Sequence, residues 1–263
     1  MGPFRHDVDL VRRILIPALV LSLVAATPAH ADPSADPKLT RNALYKSGVI
    51  PRSTCAEKPI ERRNDVKAAK AYVTFLVGCL DRVWSKQLAK AGVRFTKPKL
   101  RLLTKNPARY CGLTWEKGAY DDYCEDDREI LFVLGRTLLN VDPDDLWLWT
   151  AVSSRYGEHV QYLTGIQKAL YRAWPEDGDP AQDEVLRRLF LQTFCLTGAF
   201  TGSVFRSMPR RSSEWKYLVG EWTALEGETA GTAENIAHWM NRGFNTRNPK
   251  YCDTWSASNS VVA

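Results

Sequence analysis

Ser154-Arg155-Tyr156-Gly157-Glu158-His159-Val160-Gln161 sits inside the longest apolar pattern of the chain. Val152, Tyr156, His159, Leu163, Ile166 and Leu170 follow one another at spacings of 4, 3, 4, 3 and 4. That rhythm is one stripe of an α-helix. Asp142-Pro143-Asp144-Asp145 gives it a start: a capping Asp, Pro at the first position, then acids on the positive end of the dipole. Pro175 and Gly178 stop it, so the expected helix runs to about Trp174. Residues 154 and 158 are four apart and share a face. His159 falls on the apolar stripe, where a lone histidine reads as a satisfied core residue.

The flanking segments are read the same way. Asn64 to Ala91 is an expected helix, capped by Asn64 and ended by Gly92, with Val73, Leu76, Leu80 and Trp84 near one face. Lys99–Thr104 alternates like a strand. Residues 106–128, rich in Pro, Gly, Asp and Tyr, read as a disulfide-clamped loop or hairpin. Glu129-Ile130-Leu131-Phe132-Val133-Leu134 reads as a buried strand ended by Gly135, and as the edge of its sheet. Further helices are expected from Pro180-Ala181 to about Val204 and from Thr232 to Arg242, where His238 belongs to the stripe. Met208–Ser213 reads as a solvated basic loop. The result is an α+β, mostly helical single domain with a small antiparallel sheet, and no internal repeat.

The first residues read as an address. Arg12 and Arg13 precede an apolar run from Ile14 to Ala26, and Thr27-Pro28-Ala29-His30-Ala31 ends it. A basic start, a short apolar core and a small-x-small end make a secretory signal peptide of residues 1–31, cleaved after Ala31. Residues 32–49 then form a leader, 50–256 the domain and 257–263 a tail. The 263-residue chain carries +6. The signal segment holds three Arg and two Asp, so +5 remains on the other 232 residues. That weak, dispersed charge does not select nucleic acid, and no later segment is long and apolar enough to span a membrane.

Export governs the six cysteines. Outside the cytoplasm an even set pairs. Cys111 and Cys124 flank a turn-like stretch. Cys55 precedes the helix that carries Cys79. Cys195 and Cys252 remain and would tie the C-terminal part to the core. No C-x-x-C spacing supports zinc ligation by thiolates.

The quoted octet resembles the helix of the neutral zinc metallopeptidase family, a secreted zincin group whose stretch reads roughly H-E-x-G-H-H-V-Q. Gly157, His159, Val160 and Gln161 match. Ser154 stands at the first zinc histidine, Arg155 at the general-base Glu and Glu158 at the second zinc histidine. Cys111-Gly112 and Tyr123-Cys124 resemble the family's Cys-Gly … Phe-Tyr-Cys segment. Leu191–Gly198 resembles its E-L-Q-A-D-C-x-A-G helix, with Phe190 and Phe194 replacing the two acids. Thr229-Ala230-Gly231-Thr232 resembles D-H-G-S without its His. His238–Phe244 and Tyr251-Cys252-Asp253-Thr254-Trp255 resemble the C-terminal helix and C-[DN]-T-[FW] ending. The likeness spans about residues 50–256, and scaffold matches where the active site departs.

The resemblance implies a zincin-like fold whose metal chemistry is lost. A catalytic zinc needs about three N, O or S ligands and an activated water. A serine hydroxyl is a poor ligand, and Arg155 stays protonated at any working pH and cannot act as a base. Only His159 and His238 survive outside the signal segment. The expectation is therefore no catalytic residue, no metal and no zinc cofactor. Glu158, His159 and Gln161 are the candidate cleft residues. An ion pair between Arg155 and Glu158, three apart on the helix, is expected to fill the former metal site with Ser154 hydrogen-bonded nearby. Asp121, Asp122, Glu125, Asp126 and Asp127 are the alternative donors for a hard cation with Glu158. Glu221 or Glu226 is the alternative carboxylate partner of Glu158. The expected function is a secreted, non-catalytic binding protein that takes an extended peptide along strand 129–134, or a cell-wall component. An active metallopeptidase with atypical ligands is the alternative.

Overall fold

The computed structural model describes residues 36–60, 64–135, 139, 145–172, 174–175 and 181–263. The signal peptide and its cleavage point, the start of the leader, the Asp142–Asp144 helix start, Gly178 and Pro180 lie outside these residues. The class is α+β and mostly helical. Seven α-helices are described: α1 (Pro37–Thr40), α2 (Val66–Lys90), α3 (Asp145–Leu163), α4 (Ile166–Arg172), α5 (Ala181–Val204), α6 (Ser212–Thr223) and α7 (Ala233–Thr246).

Strands β1 (Lys99–Leu103), β4 (Asp121–Cys124) and β5 (Glu129–Val133) form a three-stranded sheet in the order β1-β5-β4. β2 (Arg109–Tyr110) and β3 (Leu113–Thr114) make a separate two-residue ladder. β1 pairs β5 in parallel, Lys99 opposite Glu129 through Leu103 opposite Val133. β4 pairs β5 antiparallel, Asp121 opposite Phe132. The sheet is thus mixed, not antiparallel, and residues 129–133 are its central strand, not its edge. Ile130 and Phe132 face the main core, while Leu131 and Val133 pack with Tyr110 and Cys124 on the other side. Coverage of both faces is why the segment reads as a continuous apolar run. The short polar Asp121–Cys124 is the strand that closes β5 on this side.

Trp84 of α2, Trp149 and Tyr156 of α3, Phe200 of α5 and Phe132 of β5 fill the main core, all fully buried. Helix α2 is capped by Asp65, whose carboxylate accepts from the Ala68 N–H at 2.9 Å; Asn64 stands one residue outside at φ 59°. The long expected helix is two helices. Thr164 and Gly165, the latter at φ +77°, break it after Leu163. The apolar spacing survives the break because Ile166 and Leu170 still turn inward, but into a second cluster with Leu39 and Trp255.

Helices α5 and α7 touch backbone to backbone. A Cβ on Gly243 would stand 1.9 Å from the Cys195 carbonyl oxygen, and one on Gly198 2.2 Å from that of Met240. The buried face of α7 is Ile236, Trp239, Met240 and Gly243. His238 lies outside that stripe and is exposed, edge-on to Trp239.

Both ends of the described chain carry buried side chains. Leu39, Leu44 and Ile50 are buried, and so is Val262. Arg188 ties the last residues down by donating to the carbonyls of Thr254 and Ala257 and to Asn259 Oδ1. The Met208–Ser213 segment is not simply solvated either. Arg210 donates through Nε and Nη2 to both oxygens of Glu57, at 2.9 and 2.7 Å, with the Glu57 side chain fully buried. The Tyr72 hydroxyl donates to the same carboxylate at 2.5 Å. A charge in a loop reads as solvated when its partner lies 153 residues away. At the loop's end, the backbone N–H of the capping residue Arg211 donates to Glu214 in the first turn of α6, a helix the apolar periodicity did not announce.

The three disulfides are Cys55–Cys79, Cys111–Cys124 and Cys195–Cys252, with Cα separations of 5.8, 5.4 and 5.4 Å. Such a set suits an oxidising compartment outside the cytoplasm. Among the described residues, no helix is long and apolar enough to cross a membrane.

Candidate functional site

Helix α3 presents three different surroundings to its own turns. Residues 158, 159 and 161 point in different directions because each residue advances the helix by about 100°. His159 is fully buried: its Nδ1 accepts from the Tyr123 hydroxyl and its Nε2 lies against the Thr96 carbonyl oxygen, each at 2.8 Å. A carbonyl only accepts, so the ring carries its proton on Nε2. Burial lowers the His159 pKa, which keeps the ring neutral. Gln161 is also fully buried. It donates to the Leu189 carbonyl and to Gln192 Oε1, and accepts from the Thr193 hydroxyl. Both residues join the helix to its neighbours, whereas Glu158 lines a cavity. Gly157 has its own reason: a Cβ there would come within 3.2 Å of Thr193 on α5.

The remaining face carries Trp147, Ala151, Ser154, Arg155 and Glu158. They form one wall of a cavity of about 370 Å³. Strand β4 adds Asp121, helix α5 adds Phe190 and Phe194, and helix α6 adds Glu221 and Trp222, with Leu225 just beyond it. Arg155 is the hub. Its Nε donates to Asp121 Oδ1 at 2.5 Å and its Nη1 to Glu158 Oε1 at 2.7 Å. The expected pair with Glu158 is therefore half of a three-residue bridge that also ties α3 to β4. Among the described residues no hydrogen bond joins Ser154 to it. Asp121 was legible only as one acid in a cluster.

The electrostatics follow from partial burial. The side chains of Arg155, Asp121 and Glu158 are 26%, 13% and 11% exposed. Loss of water pushes the Glu158 carboxyl up to about 7, against the pull of Arg155, and the charges of Asp122 and Asp121 push the same way. The two acids hold Arg155 firmly protonated despite its desolvation. Three carboxylates and one guanidinium line the cavity.

The other acids of the 121–127 cluster do not converge. Asp122 accepts from the backbone N–H of Tyr123, and Glu125 accepts from the Tyr171 hydroxyl. Among the described residues no group of three or more His, Cys, Asp or Glu is placed to hold a metal ion. Glu221 does share the cavity with Glu158, a juxtaposition no local pattern announced, whereas Glu226 accepts from the N–H of Ala233 instead. Of the positions at which the chain departs from the metallopeptidase pattern, Ser154, Arg155, Glu158, Phe190 and Phe194 line this one cavity, and Ala230 does not. The matching Gly157, His159, Val160 and Gln161 are buried behind it.

Comparison with known proteins adds one distant likeness. The chain is 21% identical over 216 residues to the uncharacterized protein YpfJ of Escherichia coli strain K12, covering 74% of each chain, and equally to YpfJ of Escherichia coli O6:H1. No family model matches the chain, and no solved structure does.

Proposed function

We propose that the chain is a secreted, zincin-like relative of the neutral zinc metallopeptidases that has exchanged its metal chemistry for binding. The observation that carries the reading is Arg155, clamped between Asp121 and Glu158 where the resemblance puts the metal machinery. Ser154, Arg155 and Glu158 do not fit a zinc site. A guanidinium has five donors and no lone pair to give, and it adds positive charge beside any cation. The hydroxyl is neutral, and one carboxylate is left, already paired. No hydrolytic step is assigned to these residues.

An extended peptide, rather than a cell-wall component, is the partner favoured by the surroundings. β4 ends the sheet order and contributes Asp121 to the cavity wall, so it replaces strand 129–133 as the edge on which a peptide backbone would pair. The decisive experiment is metal analysis of the purified protein, with casein cleavage assayed with and without zinc. The expected result is no stoichiometric zinc, no cleavage and a melting temperature unchanged by EDTA. A chelator-removable zinc with zinc-dependent cleavage would establish an active metallopeptidase with atypical ligands instead.

A further inference from the structure

The geometry points to the cavity as a receptor for the basic side chain of a bound peptide, lysyl or arginyl, seated between aromatic walls with its charge at Glu221. The inference rests on the peptide-binding reading above and adds the chemistry of what is bound.

Charge is the first argument. The chain as a whole is +6, yet its cavity holds Asp121, Glu158 and Glu221 against Arg155 alone. Arg155 is spent on the first two at 2.5 and 2.7 Å. Glu221 is exposed and lines the cavity, and, among the described residues, its carboxylate has no hydrogen-bond or ion-pair partner. A cation entering here meets an uncompensated acid, while the one resident cation is already held by two carboxyl groups.

The walls are the second argument. Trp147, Phe190, Phe194 and Trp222 bound the same space, and Phe194 and Trp222 hold each other edge to face at 5.4 Å. Aromatic faces attract alkylammonium and guanidinium groups, and apolar walls suit the methylene stem that carries them. Trp222 supplies an independent sign of an unmet acceptor, which a carbonyl of the bound peptide and not its cationic group would provide. It is only 8% exposed, and its indole N–H is a buried donor without a hydrogen-bond partner. Such orphaned donors are uncommon in finished cores. The volume, about 370 Å³, lies at the small end of the range for ligand sites, roughly 300–1,000 Å³. That suits one side chain better than a large ligand.

The test is a titration of tryptophan fluorescence with acetyl-Ala-Ala-Lys-Ala-Ala-amide and with the same peptide carrying norleucine for lysine. Norleucine keeps the stem and removes the charge. The lysine peptide is expected to bind at least tenfold tighter, and Glu221→Gln should cut that preference below threefold while leaving norleucine binding unchanged. Glu221 is exposed, so the variant is expected to fold. Equal binding of the two peptides would overturn the basic-side-chain assignment and leave peptide binding standing. Binding of neither would overturn both. A lysine preference untouched by Glu221→Gln would place the cation elsewhere and overturn the assignment.

Discussion

Arg155 has two carboxylate partners and Glu158 has one guanidinium, so their truncations are not equivalent. Glu158→Ala leaves Arg155 paired with Asp121. Arg155→Ala leaves two acids facing each other with little water. An exposed pair contributes about 0–1 kcal/mol, and a fully buried charge left unpaired costs roughly 3–5 kcal/mol. With side chains 11–26% exposed, Glu158→Ala should cost about 1 kcal/mol and Arg155→Ala about 2–3 kcal/mol. The double variant should cost less than the sum, because removing Glu158 relieves part of the orphaned charge.

The pH dependence separates this account from simple lost packing. Glu158 titrates at about 7 in the folded protein against its ordinary 4.5. Its contribution is therefore fully present below about 4.5 and is lost as pH rises through 7. Without Arg155 the carboxyl should shift further up, so the Arg155→Ala deficit should be largest at pH 8 and shrink at pH 5. Urea unfolding at both pH values checks this. A deficit independent of pH would mean that the guanidinium acts by packing alone.

Contact between elements shows why particular glycines stand where they do. Helices α5 and α7 meet at Gly243, where an added Cβ would lie 1.9 Å from the Cys195 carbonyl oxygen. Backbone cannot step aside as a flexible side chain can. Gly243→Ala should then cost about 3 kcal/mol or more, at the upper end of ordinary overpacking. Gly220, on the exposed face of α6, has nothing within 4 Å of its added Cβ. Gly220→Ala should stabilise by about 0.5–1 kcal/mol through helix propensity. Thermal melts of the pair test whether close approach, rather than glycine content, governs this packing. Equal effects would sink the argument.

Elements were legible where pattern and environment agree. Strand β5 is covered on both faces and so reads as an apolar run. Helix α3 buries one stripe and so reads as a period. The break at Thr164–Gly165 was hidden because the stripe keeps its phase across it. The strand order was hidden because pairing partners are a tertiary choice, and Asp121–Cys124 carries too little apolar character to advertise itself. The site was half legible. Three of its residues share one local motif on α3, but Asp121, Phe190, Phe194 and Glu221 come from three other elements. The two phenylalanines were visible as departures from a pattern, not as walls of a cavity.

At the scale of the molecule, the disulfides bind segments that helix packing leaves separate. Cys55–Cys79 fastens the loop before α2 to that helix, beside the buried Glu57–Arg210 bridge. Cys111–Cys124 closes a small unit with Tyr110, Leu131 and Val133, apart from the main core. Cys195–Cys252 joins the middle of α5 to the C-terminal segment, across 57 residues that include all of α6 and α7. Chain entropy gains most from the longest loop: about 4 kcal/mol for a closure of that length and about 3 kcal/mol for the 13-residue closure at Cys111–Cys124. Packing widens the gap. Cys195 and Cys252 are fully buried in the main core, and Cys195 presents the carbonyl against which Gly243 sits. The paired substitution Cys195→Ala with Cys252→Ala should therefore lose about 4 kcal/mol or more, a large part of the roughly 5–15 kcal/mol typical of a domain. Cys111→Ala with Cys124→Ala should lose about 3 kcal/mol or less, with the main transition still cooperative. Urea titrations of the two paired variants decide the ranking. A greater loss from the 111–124 pair would mean that the small sheet unit, not the α5–α7 packing, limits the stability of the whole.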